Sequence, residues 1–360
     1  MYYCEKYPYM DYNFFCMKQK ISKALENVFI LENKKNIIES GIVKKIDVFK
    51  DEIRIHISLY NPTMHIKKKL KKDILQSIKY QNLDTKKICL KIEIQLKNTD
   101  KKISGIKNIL AVASGKGGVG KSTIATNLAV SLVKMGFHVG LLDADIYGPS
   151  IPLMFNLEED KIQSSILKKK NNSYVMNPIT SYGVKIISLG FFSKSGEAVV
   201  WRGPMATKAL RQLIHDTDWG DLDFLIVDLP PGTGDIHLSI LQDIPLKGII
   251  IVSTPQKISL SDVHRSVAMF RIKSIQVPIL GIIENMSFFI ENKTKKKQYF
   301  FGKNGVKIFS KKMNIFFLGE IPMLQEIREY SDLGVPVVLE NDQIRKIFEK
   351  ITKNIINKLS

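Results

Sequence analysis

The sequence predicts an α/β fold: a mostly parallel sheet covered by helices on both faces, built around a phosphate-binding loop and preceded by a small α+β domain. Three observations predict it. The stretch Gly115-Lys116-Gly117-Gly118-Val119-Gly120-Lys121-Ser122-Thr123 fits the pattern Gly, four residues, Gly-Lys-Ser/Thr, and lies between an apolar run at 109–113 and a helical pattern at 123–135. From there to the end, short β-branched runs alternate with helical patterns, as buried parallel strands and their crossover helices do. Ahead of the loop, by contrast, apolar and polar residues alternate strictly, the mark of half-buried strands.

In chain order, residues 1–17 form an N-terminal extension with five tyrosines and no clear periodicity. The small domain, 18–97, opens with a helical stretch at 17–29 and continues with strands at 42–49 and 52–60, where Ile53, Ile55, Ile57 and Leu59 share a face. An amphipathic helix at 68–80 carries Leu70, Ile74, Leu75 and Ile78, and a strand at 88–96 closes the unit. The polar stretch 98–107 is the linker to the larger domain, 108–360. There, strands are expected at 109–113, 139–142, 184–189, 224–227, 248–252, 279–283 and 315–318. The last helical region, 342–359, bears an apolar stripe of Ile344, Ile347, Phe348, Ile351, Ile355 and Ile356, read as core packing ahead of a membrane-surface face.

Composition narrows the function classes. A 360-residue chain with 44% apolar residues has room for more than one core. The net charge of +19 invites a nucleic-acid reading, yet 47 of the 54 basic residues are Lys, scattered among Ile and Asn. The densest runs, 67–72 and 293–297, lack the interleaved aromatics of a strand-binding platform, so specific nucleic-acid binding is not expected. Cys4, Cys16 and Cys89 have neither metal-type spacing nor a disulfide framework. With no secretory leader pattern and no apolar run of membrane-spanning length, the sequence reads as a cytoplasmic protein without a transmembrane segment.

The loop residues carry chemistry. The glycines let successive backbone N–H groups converge on phosphate oxygens at the start of a helix, whose positive end points at the same anion. Lys121 is expected to neutralise the β- and γ-phosphates of ATP, and Ser122 to place its hydroxyl on Mg²⁺. In a doubly covered parallel sheet ligands bind at the carboxyl ends of strands, and an Asp directly follows two of the expected strands. Asp143 and Asp145, in Asp143-Ala144-Asp145, are candidates to orient attacking water or hold a metal-bound water. Asp228, closing Leu225-Ile226-Val227-Asp228, is the candidate carboxylate in the outer sphere of Mg²⁺. Pro230-Pro231-Gly232-Thr233-Gly234 suits a switch loop whose glycine amides reach a γ-phosphate.

Lys116, one residue after the first glycine, is not required by the basic pattern. It resembles the deviant Walker A loop of the MinD/ParA-like ATPases, which implies a lysine reaching the nucleotide of a partner subunit and therefore a homodimer. Over residues 106–338 the chain resembles the Mrp-type iron-sulfur cluster carriers, a branch of those ATPases. Six motifs in order carry the likeness: residues 115–123, 143–150, Trp201-Arg202-Gly203-Pro204-Met205, 228–235, Glu284-Asn285-Met286-Ser287 and Leu318-Gly319-Glu320-Ile321-Pro322. The resemblance implies that Asn285 hydrogen-bonds the adenine edge and Pro322 lines its pocket; a structural role for the Asn285 amide is the alternative. Trp201 and Arg202 receive no catalytic role. The small front domain resembles one found ahead of the ATPase in some iron-sulfur assembly proteins.

One family feature is missing. The family's Cys-x-x-Cys pair follows the Glu-Asn-Met-Ser segment and implies a [4Fe-4S] cluster bridging the dimer, but here Glu291 and Thr294 stand in those places. A Thr hydroxyl beside a Lys run is a poor substitute for soft thiolates, so no iron-sulfur ligands are assigned. Three readings follow. The chain delivers clusters to apoproteins together with cluster assembly proteins, using a partner's thiols or its own distant cysteines. It is instead a cluster-free switch ATPase acting on a protein partner. Or it works like the ParA ATPases on nucleic acid or a membrane surface.

Overall fold

The computed structural model describes residues 12–29, 36–49, 52–60, 64–80, 87–95, 103–157, 167–170, 173–192, 203–272, 275–291 and 296–359. Cys4, Trp201, Arg202 and Thr294 lie outside them, as do most of the N-terminal extension and half of the linker. Internal contacts divide the chain into two units, Met1–Lys97 and Asn98–Ser360.

The first unit runs α1 (Tyr12–Leu25), β1 (Val43–Val48), β2 (Glu52–Tyr60), α2 (Met64–Tyr80) and β3 (Lys87–Gln95). Its sheet has the order β1-β2-β3, antiparallel then parallel. Alternation in β2 does what it predicts: Ile53, Ile55, Ile57 and Leu59 are buried beneath Ile21 and Leu25 of α1 and Leu70, Ile74 and Ile78 of α2. Both helices begin earlier than their sequence patterns, α1 at Tyr12 and α2 at Met64. Cys89 is exposed on β3, level with Arg54.

The second unit begins β4 (Ile106–Ser114), α3 (Lys121–Lys134), β5 (Val139–Asp143), α4 (Ile151–Met154) and continues through β6 (Leu167–Lys170), β7 (Ser173–Met176), β8 (Ile179–Ser181), β9 (Val184–Ser188) and α5 (Gly203–His215). Then follow β10 (Leu222–Asp228), α6 (Asp235–Asp243), β11 (Gly248–Ser253), α7 (Lys257–Phe270), β12 (Ile279–Glu284), β13 (Phe289–Ile290), β14 (Lys297–Gln298), α8 (Gly305–Met313), β15 (Phe317–Glu320), α9 (Gln325–Asp332) and α10 (Asp342–Leu359). Eight strands form one sheet in the order β15-β12-β11-β4-β10-β5-β9-β8, parallel except for the edge strand β8. The fold class is thus the one the apolar runs predict: β5 and β11 are buried along their whole length, as strands covered by helices must be.

α3 and α10 pack on each other and on the sheet, and α7 and α8 do likewise over β11, β12 and β15. Ile344, Phe348, Ile351 and Ile355 of α10 are buried in the main core, which accounts for the stripe without a membrane. Among the described residues no helix is long and apolar enough to cross a membrane. The last strand lies two residues beyond its expected place. Asn314 adopts a left-handed conformation (φ 52°) that ends α8, and Ile315 is consumed as a buried residue of the turn before β15 starts. The two small hairpins β6–β7 and β13–β14 were not expected; their strands of four and two residues are too short to show a period.

Candidate functional site

The register of the parallel strands lines up their polar ends. Asp228 of β10 stands level with Asp143 of β5, and Asp143 with Ser188 of β9. On the other side of β4, Ser253 of β11 stands level with Glu284 of β12, and Glu284 with Glu320 of β15. The residues just before these ends are apolar, as in Leu225-Ile226-Val227 before Asp228 and Ile186-Ile187 before Ser188, so these polar groups gather at the carboxyl edge, beside the loop that leaves β4.

That loop is held from both sides. Gly115 packs against the backbone of Asp262 and Val263 in α7. Gly118 and Gly120 have φ of 79° and 82°, and Val119 is buried. A Cβ on Gly117 or Gly118 would meet nothing within 4 Å, so their amides border open space, whereas one on Gly120 would lie 2.3 Å from Asn285 Nδ2. The Asn285 amide donates to the Val119 carbonyl at 2.9 Å, and its backbone N–H donates to the Ser253 carbonyl. Of the two roles open to Asn285, the structure displays the structural one, a latch on the phosphate loop. Pro322 is buried where the chain after β15 hydrogen-bonds back to Glu284 and Ser287. Thr123 lies in the first turn of α3, and its carbonyl accepts from Asn127 Nδ2.

Lys121, the first residue of α3, is only 6% exposed. Its Nζ donates to Asp228 Oδ1 at 2.7 Å and to Ser122 Oγ at 3.2 Å, and lies 3.5 Å from Asp145 Oδ2. Asp228 is fully buried. Burial raises its pKa, and the Lys121 ammonium pulls the other way. Its Oδ2 has no hydrogen-bond partner among the described residues, which is costly for a buried carboxylate unless a cation or water completes it. Two positive groups, the loop amides and Lys121, thus border the space beside an acid with a free lone pair. That donor set fits a magnesium–nucleotide.

Asp143 and Asp145 differ. Asp143 is enclosed by donors: Oδ1 accepts from the Asp145 N–H, and Oδ2 accepts from the Ile151 N–H of α4 and from Ser188 Oγ. Burial, and then the charge of Asp228, push its pKa up to about 7 in spite of those hydrogen bonds. Asp145 keeps a solvent-accessible edge at 12% and faces Lys121. Lys116 is half-buried, and its ammonium has no ion-pair or hydrogen-bond partner among the described residues. In the switch loop, the Gly232 N–H donates to the Ser114 carbonyl and His237 Nε2 lies 2.6 Å from the Pro230 carbonyl.

Ser188 and His237 escaped the sequence reading. The strand-end rule that finds Asp143 and Asp228 also finds Ser188, once β9 is seen to stop there and not at Leu189. Nothing local marks His237, which counts only because α6 folds it beneath the loop. Glu291 directly follows β13, which pairs with β14 in a short hairpin. Phe289 pairs with Gln298 and Ile290 with Lys297, and the Glu291 N–H donates to the Lys296 carbonyl. Among the described residues no cluster of three His, Cys, Asp or Glu is placed to hold a metal.

Comparison with known proteins gives a consistent result. Residues 105–358 match the ParA family described as NUBPL iron-transfer P-loop NTPase, and residues 18–86 match that described as iron-sulfur cluster assembly protein. The iron-sulfur cluster carrier protein of Aquifex aeolicus is 45% identical over 258 residues, 71% of this chain and 69% of its own length. That of Helicobacter pylori is 35% identical over 345 residues, 94% of this chain and 92% of its own. The iron-sulfur cluster transfer protein NUBPL of Dictyostelium discoideum is 48% identical over 71% of this chain and 78% of its own. Among solved structures, a nucleotide-binding protein from Archaeoglobus fulgidus in complex with ADP superposes with a TM-score of 0.57 at 34% identity, over 68% of this chain and 93% of that one.

Proposed function

This chain belongs to the iron-transfer P-loop NTPase family, and from that premise we propose that it is a cytoplasmic, homodimeric iron-sulfur cluster carrier that hydrolyses ATP slowly to ADP and phosphate. The observation that carries the ATPase half is Lys121, buried at the mouth of the loop between Asp228 and Asp145.

In this reading the amides of residues 115–122 and the Lys121 ammonium receive the β- and γ-phosphates, a fixed array of positive ends that costs no reorganisation as charge moves onto the leaving group. Ser122 and Asp228 would hold the magnesium side of the site, Ser122 through its hydroxyl and Asp228 through Oδ2, which has no hydrogen-bond partner among the described residues. Bound Mg²⁺ would supply electrophilic neutralisation of the phosphate oxygens. Asp145 orients the attacking water, and Asp143 acts through it by gripping the Asp145 N–H. Lys116, whose ammonium has no partner among the described residues, serves the nucleotide of the second subunit. Asn285 and Pro322 border the base end of the loop. The expected outcome is that Lys121→Ala abolishes nucleotide binding, because it removes a charge-assisted contact and leaves Asp228 buried and unpaired. Lys116→Ala keeps binding and loses the hydrolysis that depends on dimer formation. A Lys116→Ala protein with wild-type turnover sinks the two-subunit mechanism.

A second reading concerns the cargo. Glu291 and Thr294 replace the family's thiolates, which favours a cluster-free switch acting through nucleotide-dependent dimerisation on a partner. Anaerobic reconstitution with iron and sulfide separates the two. Stable cluster binding that disappears when Cys4, Cys16 and Cys89 are all replaced by Ser supports a carrier with relocated ligands. ATP binding without any cluster supports the switch, with thiols supplied by an iron-sulfur apoprotein or an assembly partner.

A further inference from the structure

The switch loop is anchored by a side chain that no motif contains. His237 lies in the first turn of α6, is 2% exposed, and places Nε2 2.6 Å from the Pro230 carbonyl. A carbonyl only accepts, so the ring carries its proton on Nε2 and donates it. Burial lowers the imidazole pKa most and the nearby Lys121 charge lowers it further; the Pro230 carbonyl and the Asp145 charge pull the other way, and the net shift is downward, toward the neutral ring.

The position of that hydrogen bond matters because of the two prolines. Ring closure fixes φ at Pro230 and Pro231, so the course of the chain from Pro230 to Gly232 depends largely on two ψ angles. The direction of the Pro230 carbonyl reports the first of them. A donor fixed on this oxygen sets the Pro230–Pro231 peptide plane, and with it the approach to Gly232, whose N–H bonds the Ser114 carbonyl immediately before the phosphate loop. His237 is itself tied to the far end of the same loop: its backbone N–H donates to the Gly234 carbonyl. One residue therefore pins both ends of the segment 230–234.

We propose that His237 is a positioning residue for hydrolysis, which fixes the Pro-Pro-Gly-Thr-Gly loop against the phosphate loop through an N–H donated to the Pro230 carbonyl. The inference rests on the ATPase reading. It requires a neutral donor of the right reach and not a titrating group, so glutamine, which carries an N–H at similar length, substitutes for it and alanine does not.

The test compares wild type, His237→Ala and His237→Gln in three measurements: equilibrium binding of MgATP, turnover at saturating MgATP, and hydrogen exchange at the loop's amides, those of Gly232, Thr233 and Gly234. His237→Ala is expected to bind MgATP within about threefold of wild type, to lose about tenfold in kcat, which is the weight of one such hydrogen bond, and to exchange faster in the loop. His237→Gln recovers most of both. An alanine variant with kcat within about twofold of wild type overturns the proposal, as does a folded glutamine variant as slow as alanine. If the alanine variant fails to fold, the glutamine variant decides alone by its kcat and its loop exchange. A wild-type chain that binds MgATP without turning it over removes the ATPase reading instead, an outcome visible before any variant is compared; the exchange arm then still decides whether His237 holds the loop.

Discussion

At Asp143 burial and charge are in direct conflict. The carboxylate is fully buried beside another buried acid, Asp228, and three donors only partly compensate, so its pKa rises from the ordinary 3.8 to about 7. The linkage has a definite sign. Between those two values the native state holds a proton that the unfolded chain has released, so stability is greatest below the lower value and declines as pH rises towards the upper one. Over pH 5 to 7 that amounts to roughly 2–3 kcal/mol. Thermal unfolding of the nucleotide-free protein in chelator should therefore show a melting temperature that falls over this window, and Asp143→Asn should flatten the fall. The variant also gives up an acceptor for Ile151 or Ser188, so the slope and not the absolute level is the readout. A wild-type slope preserved in Asp143→Asn would assign the pH dependence to another group.

At the scale of elements, the phosphate loop separates two uses of glycine. Gly120 has φ 82° and its ideal Cβ would fall 2.3 Å from Asn285 Nδ2, so Gly120→Ala brings left-handed strain of about 1–2 kcal/mol and breaks the latch to Val119, worth about 1 kcal/mol more. Gly117 meets nothing, and its backbone is not in the left-handed region. Gly117→Ala should melt like wild type yet bind nucleotide poorly, since its methyl enters the space the loop amides border; Gly120→Ala should lose both. Calorimetry with a nucleotide titration reads the contrast, and equal destabilisation by the two changes would contradict it. The same element explains what the sequence made legible. A loop pattern whose meaning lies in local spacing, and acids that end apolar strands, such as Asp228, are visible in one dimension. The convergence of Ser188 on Asp143 and of Glu284 on the α8 amide of Val306 depends on strand order, which no local pattern encodes. The β13–β14 hairpin is illegible for another reason: two-residue strands carry no periodicity.

At the scale of the whole molecule, each unit has a core of its own. The front unit buries Ile53, Ile55, Ile57, Ile74 and their neighbours, while the larger unit buries the eight-stranded sheet and its helices in a separate cluster. Cooperative unfolding follows shared burial, so two cores predict two calorimetric transitions in the full chain. The nucleotide provides the discriminating control. A ligand that binds only one folded unit stabilises that unit by RT ln(1 + [L]/Kd), about 2.7 kcal/mol at a hundredfold excess over Kd. MgATP at that excess should shift the transition of the 98–360 unit upward and leave the other in place, because every residue assigned to phosphate, metal or base belongs to the larger unit. A single transition that moves as a whole with MgATP would mean instead that the front unit depends on the ATPase core for its stability. The small domain would then act as part of the nucleotide switch and not as a separately folding module.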